Sequence, residues 1–143
     1  MALAADVSAV ELREAIALRL QELSAFVTEV GGNALLDPSD LGIAVAQEVA
    51  AGRAQFGIVV DRTGIGSCMA ANKIRGVRAA ACRDVTSAAY AREHHDANVL
   101  ALGGGFIGPQ LGVAILDIFL TTPFAGGAYA TSVAKIDALE HGG

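Results

Sequence analysis

A polar segment at residues 92–98 concentrates groups that are capable of acid–base chemistry. It reads Arg-Glu-His-His-Asp-Ala-Asn and holds two of the three histidines, His94 and His95. Histidine is the usual proton shuttle at neutral pH, so this segment is a candidate catalytic group, with Asn98 as a neighbouring amide. The alternative is a polar helix end that only exposes its side chains. Adjacent histidines diverge on a helix and no His-Glu-x-x-His spacing occurs, so we expect no metal site.

A second candidate group is the turn at residues 61–67, which reads Asp-Arg-Thr-Gly-Ile-Gly-Ser. It follows a strongly apolar run and precedes a helical pattern. Backbone N–H groups at such a turn, here around Gly64 and Gly66, can converge on a phosphate or an enediolate oxygen. A tight turn without a ligand is the alternative. The turn is neither a Walker loop nor a complete dinucleotide-binding fingerprint, and we expect no cofactor.

Asp61, the first residue of this turn, has two interpretations that the sequence leaves open. A carboxylate can abstract a proton alpha to a carbonyl group if burial raises its pKa. Asp61 can equally form a structural ion pair with Arg62, which follows it directly. The first interpretation makes Asp61 a catalytic base, and the second gives it a role in folding or in completing a partner's site.

Alternating apolar runs and amphipathic segments predict an α/β fold, a doubly wound (Rossmann-like) parallel sheet of about five strands in three layers. We interpret residues 1–143 as one domain. The predicted strands cover residues 2–5, 26–30, 56–60, 77–82 and 98–102. The predicted helices cover residues 10–23, 41–51 (capped by Ser39 or Asp40), 68–73, 86–94, 109–120 and 128–139. Ligands bind such sheets at the carboxyl ends of the strands, where we expect Asp6, the turn at 61–67 and the segment between Thr86 and Asn98.

Composition excludes several classes of partner. The 143 residues are 53% hydrophobic and only 17% charged, with a net charge of −5, so we expect self-association and no nucleic-acid binding. The longest uncharged stretch, residues 97–116, is interrupted by glycines and Pro109, so we expect no membrane span. No basic region precedes the first apolar residues, and we expect a cytoplasmic location with Cys68 and Cys82 as free thiols.

Several blocks of the sequence together carry a family resemblance. They are residues 57–60, 63–66, 70–80 and 91–103, with weaker blocks at 11–16 and 121–127. They resemble the ribose-5-phosphate isomerase B family, which includes both subunits of galactose-6-phosphate isomerase. The resemblance covers nearly the whole chain and is strongest between Gly57 and Gly127.

The resemblance implies a metal-independent aldose–ketose isomerase that acts through a cis-enediolate on a sugar or sugar phosphate. It also implies a homodimer or tetramer whose sites take residues from two subunits, with the C-terminal helix packed on the partner. With the residue chemistry given above, it makes Asp61, Thr63 and His94 the candidate catalytic residues. The candidate substrate-binding residues are Asp6, Arg62, Gly64, Gly66, Ser67, His95 and Asn98.

The chain departs from the family pattern at the positions that move protons and hold phosphate. Asp61 stands where the family has its catalytic cysteine, and Cys68 lies too far along the chain to replace that residue. The other departures are Arg62 for a glycine, Val7 and Tyr129 for histidines, Ala128 and Ser132 for arginines, and His95 for an asparagine. Because arginines and histidines form charge-assisted hydrogen bonds to phosphate, their loss predicts weak phosphate binding unless Arg62 or another subunit compensates.

Three functional hypotheses follow. The first is an aldose–ketose isomerase, or a subunit of one. The second is a non-catalytic structural or regulatory partner in a hetero-oligomer with a cysteine-bearing paralogue, because residues 61–69 resemble the galactose-6-phosphate isomerase A subunit, which lacks the cysteine. The third is a tautomerase of a small keto acid, with Arg62 binding the carboxylate.

Overall fold

The computed structural model describes residues 1–32 and 36–142. Its centre is one parallel sheet with the strand order β2-β1-β3-β5-β4. The strands are β1 (Ala2–Ala5), β2 (Thr28–Glu29), β3 (Gly57–Asp61), β4 (Ala79–Ala81) and β5 (Val99–Gly103). The helices are α1 (Val10–Glu22), α2 (Pro38–Ala50), α3 (Ile65–Ala71), α4 (Val85–Glu93), α5 (Pro109–Thr121) and α6 (Ala128–Ala138). The predicted doubly wound α/β fold is confirmed.

Apolar side chains on β3 and β5 alternate between the two faces of the sheet and form two cores. Ile58 and Val60 join the cluster beneath α1, α4 and α5, whereas Val59 joins the cluster beneath α2 and α3. Every residue of β3 and β5 is buried, as expected for central strands of a parallel sheet that is covered on both faces.

The strand order changes direction between β1 and β3. The chain first places β2 on one side of β1 and then crosses to place β3 on the other side. In open α/β sheets the crevice for a ligand lies at the carboxyl ends of the strands at such a switch point. Asp6 directly follows β1 and Asp61 ends β3, so the topology brings these two acidic residues to the same crevice.

Several predicted boundaries were wrong. Helix α2 begins at Pro38 because the Asp37 side chain accepts the Asp40 N–H, so neither Ser39 nor Asp40 is the cap. Helix α3 begins at Ile65, three residues before the predicted start at Cys68. Strands β2 and β4 are shorter than predicted, since each lies at an edge of the sheet and pairs with one neighbour only.

Arg92 anchors the end of α4 inside the core. Its guanidinium donates to Asp96 Oδ1 at 2.8 Å and to the Ala97 carbonyl at 2.7 Å. The same group lies 4.8 Å from the centre of the Phe56 ring and 5.7 Å from that of Phe119. Burying the Arg92 charge is costly unless these hydrogen bonds and aromatic contacts compensate for it. They therefore hold the turn between α4 and β5 in one conformation.

In the described part of the chain, no helix combines the length and the apolar character that crossing a membrane requires.

The contact between α2 and α3 gives a stability prediction, because a Cβ atom on Gly42 would lie 2.2 Å from the Ser67 carbonyl oxygen. We expect Gly42→Ala to lower the free energy of unfolding by about 1–3 kcal/mol, since two backbones must separate. Gly66→Ala is the matched control, because its Cβ would meet nothing closer than Pro38 Cβ at 3.9 Å. Urea denaturation of both variants tests this, and an equal loss of stability in the two would contradict it.

Candidate active site

One oxygen of the Asp61 carboxylate organises the turn after β3. Asp61 is fully buried, and its Oδ1 accepts the backbone N–H of Thr63 at 2.8 Å and that of Gly64 at 2.5 Å. Gly64 adopts a left-handed conformation with φ of +70°, which favours glycine. A Cβ on Gly103 would lie 2.5 Å from the Thr63 carbonyl group, so glycine is also required where β5 passes the turn.

The second oxygen of Asp61 has no hydrogen-bond partner among the described residues. Asp61 Oδ2 and the Ser67 hydroxyl are both buried and both lack a partner. Buried polar atoms in folded proteins are nearly always hydrogen-bonded, so these two groups are available to a ligand or to water. The turn therefore combines a carboxylate that is fixed through one oxygen with a second oxygen that is free for chemistry.

The structural ion pair between Asp61 and Arg62 is absent from the ion pairs of the described residues, and that interpretation was wrong. The reason is local, since the Asp61 carboxylate is fully buried, where the Arg62 side chain does not reach it. The Arg62 side chain is exposed, while its carbonyl accepts the Gly105 N–H at 2.8 Å.

Asp6 lies at the same crevice and has a local role. Its backbone N–H donates to the Val60 carbonyl at 3.0 Å, and its Oδ1 accepts the Ser8 N–H at 2.9 Å. The carboxylate thereby caps the short 3₁₀ turn at residues 7–9, from which the Val7 side chain extends with 83% exposure. An exposed valine offers no hydrogen bond to an anion in this crevice.

The prediction that the segment between Thr86 and Asn98 lies at the carboxyl ends of the strands was wrong, and the structure separates its histidines from Asp61. His94 caps the carboxyl end of α4 and Asn98 directly precedes β5, so both lie at the amino edge of the sheet. Asp61 and Thr63 lie at the carboxyl edge, and the five residues of β5 place the two edges about 16 Å apart. One chain therefore does not bring its predicted catalytic residues together.

Two tyrosines enclose the His94 ring. Tyr90 stacks on one face at 4.7 Å between ring centres, with planes inclined by 14°. Tyr129, from α6, lies 4.2 Å away with planes inclined by 12°. Because the faces of the imidazole are covered, its chemistry is directed to the ring nitrogens at its edge.

Asn98 and His95 are positioned differently from His94. The Asn98 amide accepts the Arg78 N–H at 2.8 Å and donates to the Gly76 carbonyl at 2.9 Å, so it holds the loop before β4. His95 is exposed and borders a cavity of about 900 Å³ between β4, α4 and α6. Neither side chain is near Asp61.

The two cysteines are free thiols, Cys68 partly buried and Cys82 buried. The Cys68 thiol lies 3.5 Å from the Ala79 carbonyl, and burial raises its pKa. Burial also raises the pKa of Cys82, to about 11. A thiol with a raised pKa is a poor base and nucleophile at neutral pH, which agrees with the prediction that Cys68 does not replace the family cysteine.

No group of three or more histidine, cysteine or acidic side chains in the ranges 1–32 and 36–142 is arranged to hold a metal ion.

The family follows from a match over almost the whole chain. The family model described as Ribose/Galactose Isomerase matches residues 1–136. The chain belongs to this family. A putative sugar phosphate isomerase, YwlF of Bacillus subtilis, is 38% identical over 143 residues, which is 98% of this chain and 96% of that protein. D-erythrulose-4-phosphate isomerase of Pectobacterium atrosepticum is also 38% identical, over 99% of this chain and 95% of its own length.

A solved structure of ribose-5-phosphate isomerase B from Clostridium thermocellum superposes with a TM-score of 0.93 at 39% identity. The match covers 99% of this chain and 97% of that chain. The predicted family resemblance is thus confirmed, and with it the fold. The ribose/galactose isomerase fold here carries an aspartate in the turn after β3.

Sequence reasoning missed three residues around the two halves of the site, namely Tyr90, Arg83 and Phe106. Tyr90 lies one helical turn before His94, and that spacing was the available signal. Arg83 and Phe106 follow β4 and β5, so the rule for the carboxyl ends of strands applies to them as it does to Asp61.

The aromatic stack generates a prediction about ring packing. We expect Tyr129→Ala to release one face of His94 and to lower the free energy of unfolding by about 1 kcal/mol, whereas Tyr129→Phe retains the contact. The direct measurement is the proton chemical shift of the His94 ring, which stacked aromatic neighbours displace. A His94 shift that is identical in Tyr129→Ala and in the unmodified protein would show that the stack is absent in solution.

Proposed function

We propose that the chain is an aldose–ketose isomerase of sugar phosphates and that each active site is built from two copies of it. Its family and the named activity of its relatives support the reaction class. The observation that carries the assignment of the site is Asp61 at the switch point of the sheet, whose buried Oδ2 has no hydrogen-bond partner among the residues that the structure describes.

Asp61 is the proposed base. Isomerisation moves a proton between two adjacent carbons, one of which carries the carbonyl group. Asp61 Oδ2 takes the proton from the carbon next to the carbonyl, giving a cis-enediolate, and the resulting carboxylic acid returns it to the neighbouring carbon. The backbone donors to Oδ1 fix the plane of the carboxylate throughout, so Oδ2 stays directed at the substrate.

The turn offers donors for the enediolate oxygens. The Thr63 hydroxyl accepts the Ile65 N–H at 3.2 Å, which leaves its hydrogen free to donate to the substrate. Ser67 contributes a second hydroxyl without a partner. The N–H groups of Gly66 and Ser67 lie in the first turn of α3, where no carbonyl of the helix precedes them, and complete a polarising environment for negative charge.

His94 serves the site of a second copy in this proposal. The topology places it at the edge of the sheet opposite Asp61, so it acts where another chain presents its turn. With both faces covered by tyrosine, His94 presents a ring nitrogen that can give or accept a proton at a sugar oxygen. A dimer also accounts for the exposed apolar residues Ile136 of α6 and Leu139, which caps this helix, as contacts with the partner.

A second candidate function is the non-catalytic subunit of a complex with a cysteine-bearing paralogue. The observation in its favour is that Asp61 Oδ1 already has a structural role in the turn. In that case Asp61 only shapes the turn, and the paralogue supplies the base. The two candidates differ in what the purified chain does alone.

The cytoplasmic location remains a prediction.

Replacement of Asp61 tests whether this residue is the base. We expect Asp61→Asn to fold, because the amide oxygen still accepts the Thr63 and Gly64 N–H groups, and to lower kcat at least about 100-fold by loss of the base. Assays with four-, five- and six-carbon sugar phosphates, and with the free sugars, measure this. Cys68→Ser is the control and should retain activity.

Full activity of Asp61→Asn would contradict the base role. No turnover by the unmodified chain alone, with turnover on addition of a cysteine-bearing homologue, would favour the second candidate.

The second prediction concerns the shared site. Asp61→Asn and His94→Gln are each expected to be inactive, but an equimolar, co-refolded mixture should regain about a quarter of the normal activity, since half of the dimers then contain one intact site. A site formed within one chain would give no recovery. Size-exclusion chromatography of the mixture is the control that dimers have formed.

A further inference from the structure

The arginines of the chain fall into two groups. Six of the eight bind a protein oxygen: Arg13, Arg19, Arg53, Arg78 and Arg92 pair with carboxylates, and Arg75 donates to the Glu140 carbonyl. Across residues 1–32 and 36–142, only the guanidinium groups of Arg62 and Arg83 make neither an ion pair nor a hydrogen bond. A chain with a net charge of −5 has enough carboxylates to pair them, yet neither cation forms an ion pair among these residues.

Both free arginines lie at the carboxyl edge of the sheet. Arg62 directly follows β3, and Arg83 comes two residues after the end of β4. These strands flank β5, so the two positions are separated laterally by about 10 Å, or two strand spacings. Because arginine side chains are long, two that begin this far apart can converge on one anion that lies between them.

The loop after β5 contacts both arginines. The guanidinium of Arg83 lies 4.0 Å above the centre of the Phe106 ring. Next to it, Gly105 N–H donates to the Arg62 carbonyl, and a Cβ on Gly105 would lie 3.4 Å from Arg62 Cγ. An arginine stacked on an aromatic face keeps its N–H groups at the edge, where they are free to bind an anion in a bidentate manner.

The acidic groups beside these arginines in the sequence do not pair with them. Asp61 directs its Oδ1 to the turn, and Asp84 accepts the Ser87 N–H at the start of α4. That hydrogen bond holds the pKa of Asp84 below its usual value, because it stabilises the ionised carboxylate at the start of the helix. Neither carboxylate takes the place of an external anion at the two guanidinium groups.

We propose that Arg83, held by Phe106, and Arg62 together bind the phosphate group of the substrate. This inference rests on the proposed function, since it places the phosphate at the far end of a sugar that reacts at Asp61. It explains how the chain retains a sugar phosphate although Val7, Ala128 and Ser132 provide no cationic group. The phosphate would be held at the ends of β3 and β4 by the arginine fork geometry.

The test uses inorganic phosphate as the probe and does not require turnover. Isothermal titration of the full chain measures the dissociation constant for phosphate, with acetate as a second probe for a general carboxylate site. We expect Arg83→Gln and Arg62→Gln each to weaken phosphate binding about tenfold or more, through loss of charge-assisted hydrogen bonds. Arg83→Lys, which keeps the charge without the fork, should lie between Gln and the unmodified protein.

Arg75→Gln is the matched control, because it removes the same charge from the other edge of the sheet and should change phosphate binding less than twofold. Equal phosphate affinity in Arg83→Gln and the unmodified protein would overturn the proposal, as would equal weakening by Arg75→Gln. Acetate binding as tight as phosphate would overturn the assignment to phosphate. If Asp61→Asn remains active while Arg83→Gln loses phosphate, the proposed base fails and the anion site stands.

Discussion

The hydrogen bonds from Thr63 and Gly64 to a single oxygen of Asp61 are the interactions on which the rest of the site depends. They bend the chain out of β3, allow α3 to begin at Ile65 and leave the second carboxylate oxygen unpartnered. A cysteine thiol cannot accept two such backbone bonds with comparable strength, because sulfur is a weak acceptor. The aspartate therefore adds rigidity to the turn at the position where the family pattern has a cysteine.

The parallel sheet imposes the second constraint. Each helix returns the chain to the amino edge, so residues at the end of α4 are placed opposite those at the end of β3. No local change in sequence can bring His94 to Asp61 within one chain without breaking β5. The proposed association of copies accounts for both the weakly charged composition and the divided set of reactive groups.

The central strands and the family were predictable from the sequence, whereas the edges and the division of the site were not. β3 and β5 were predicted to within one residue, because continuous apolar runs occur where both faces are covered. Helix α3 begins early because Gly64 is left-handed and because Asp61 accepts hydrogen bonds from the turn. Helix propensities of single residues do not predict either feature. Arg83 was missed for a similar reason, since its contact with Phe106 joins residues that are distant along the chain.

Tyr129, which covers one face of His94, lies in the last helix that the ribosome makes. All five strands and α1–α5 precede α6 in the chain, so the sheet and both cores can form on a nascent protein before Tyr129 is made. At that stage one face of His94 is uncovered and the ion pair between Arg78 and Asp137 of α6 has not formed. If two copies share each site as proposed, a chain can fold before it can complete a partner's site, because the second ring that covers His94 is made with the last helix.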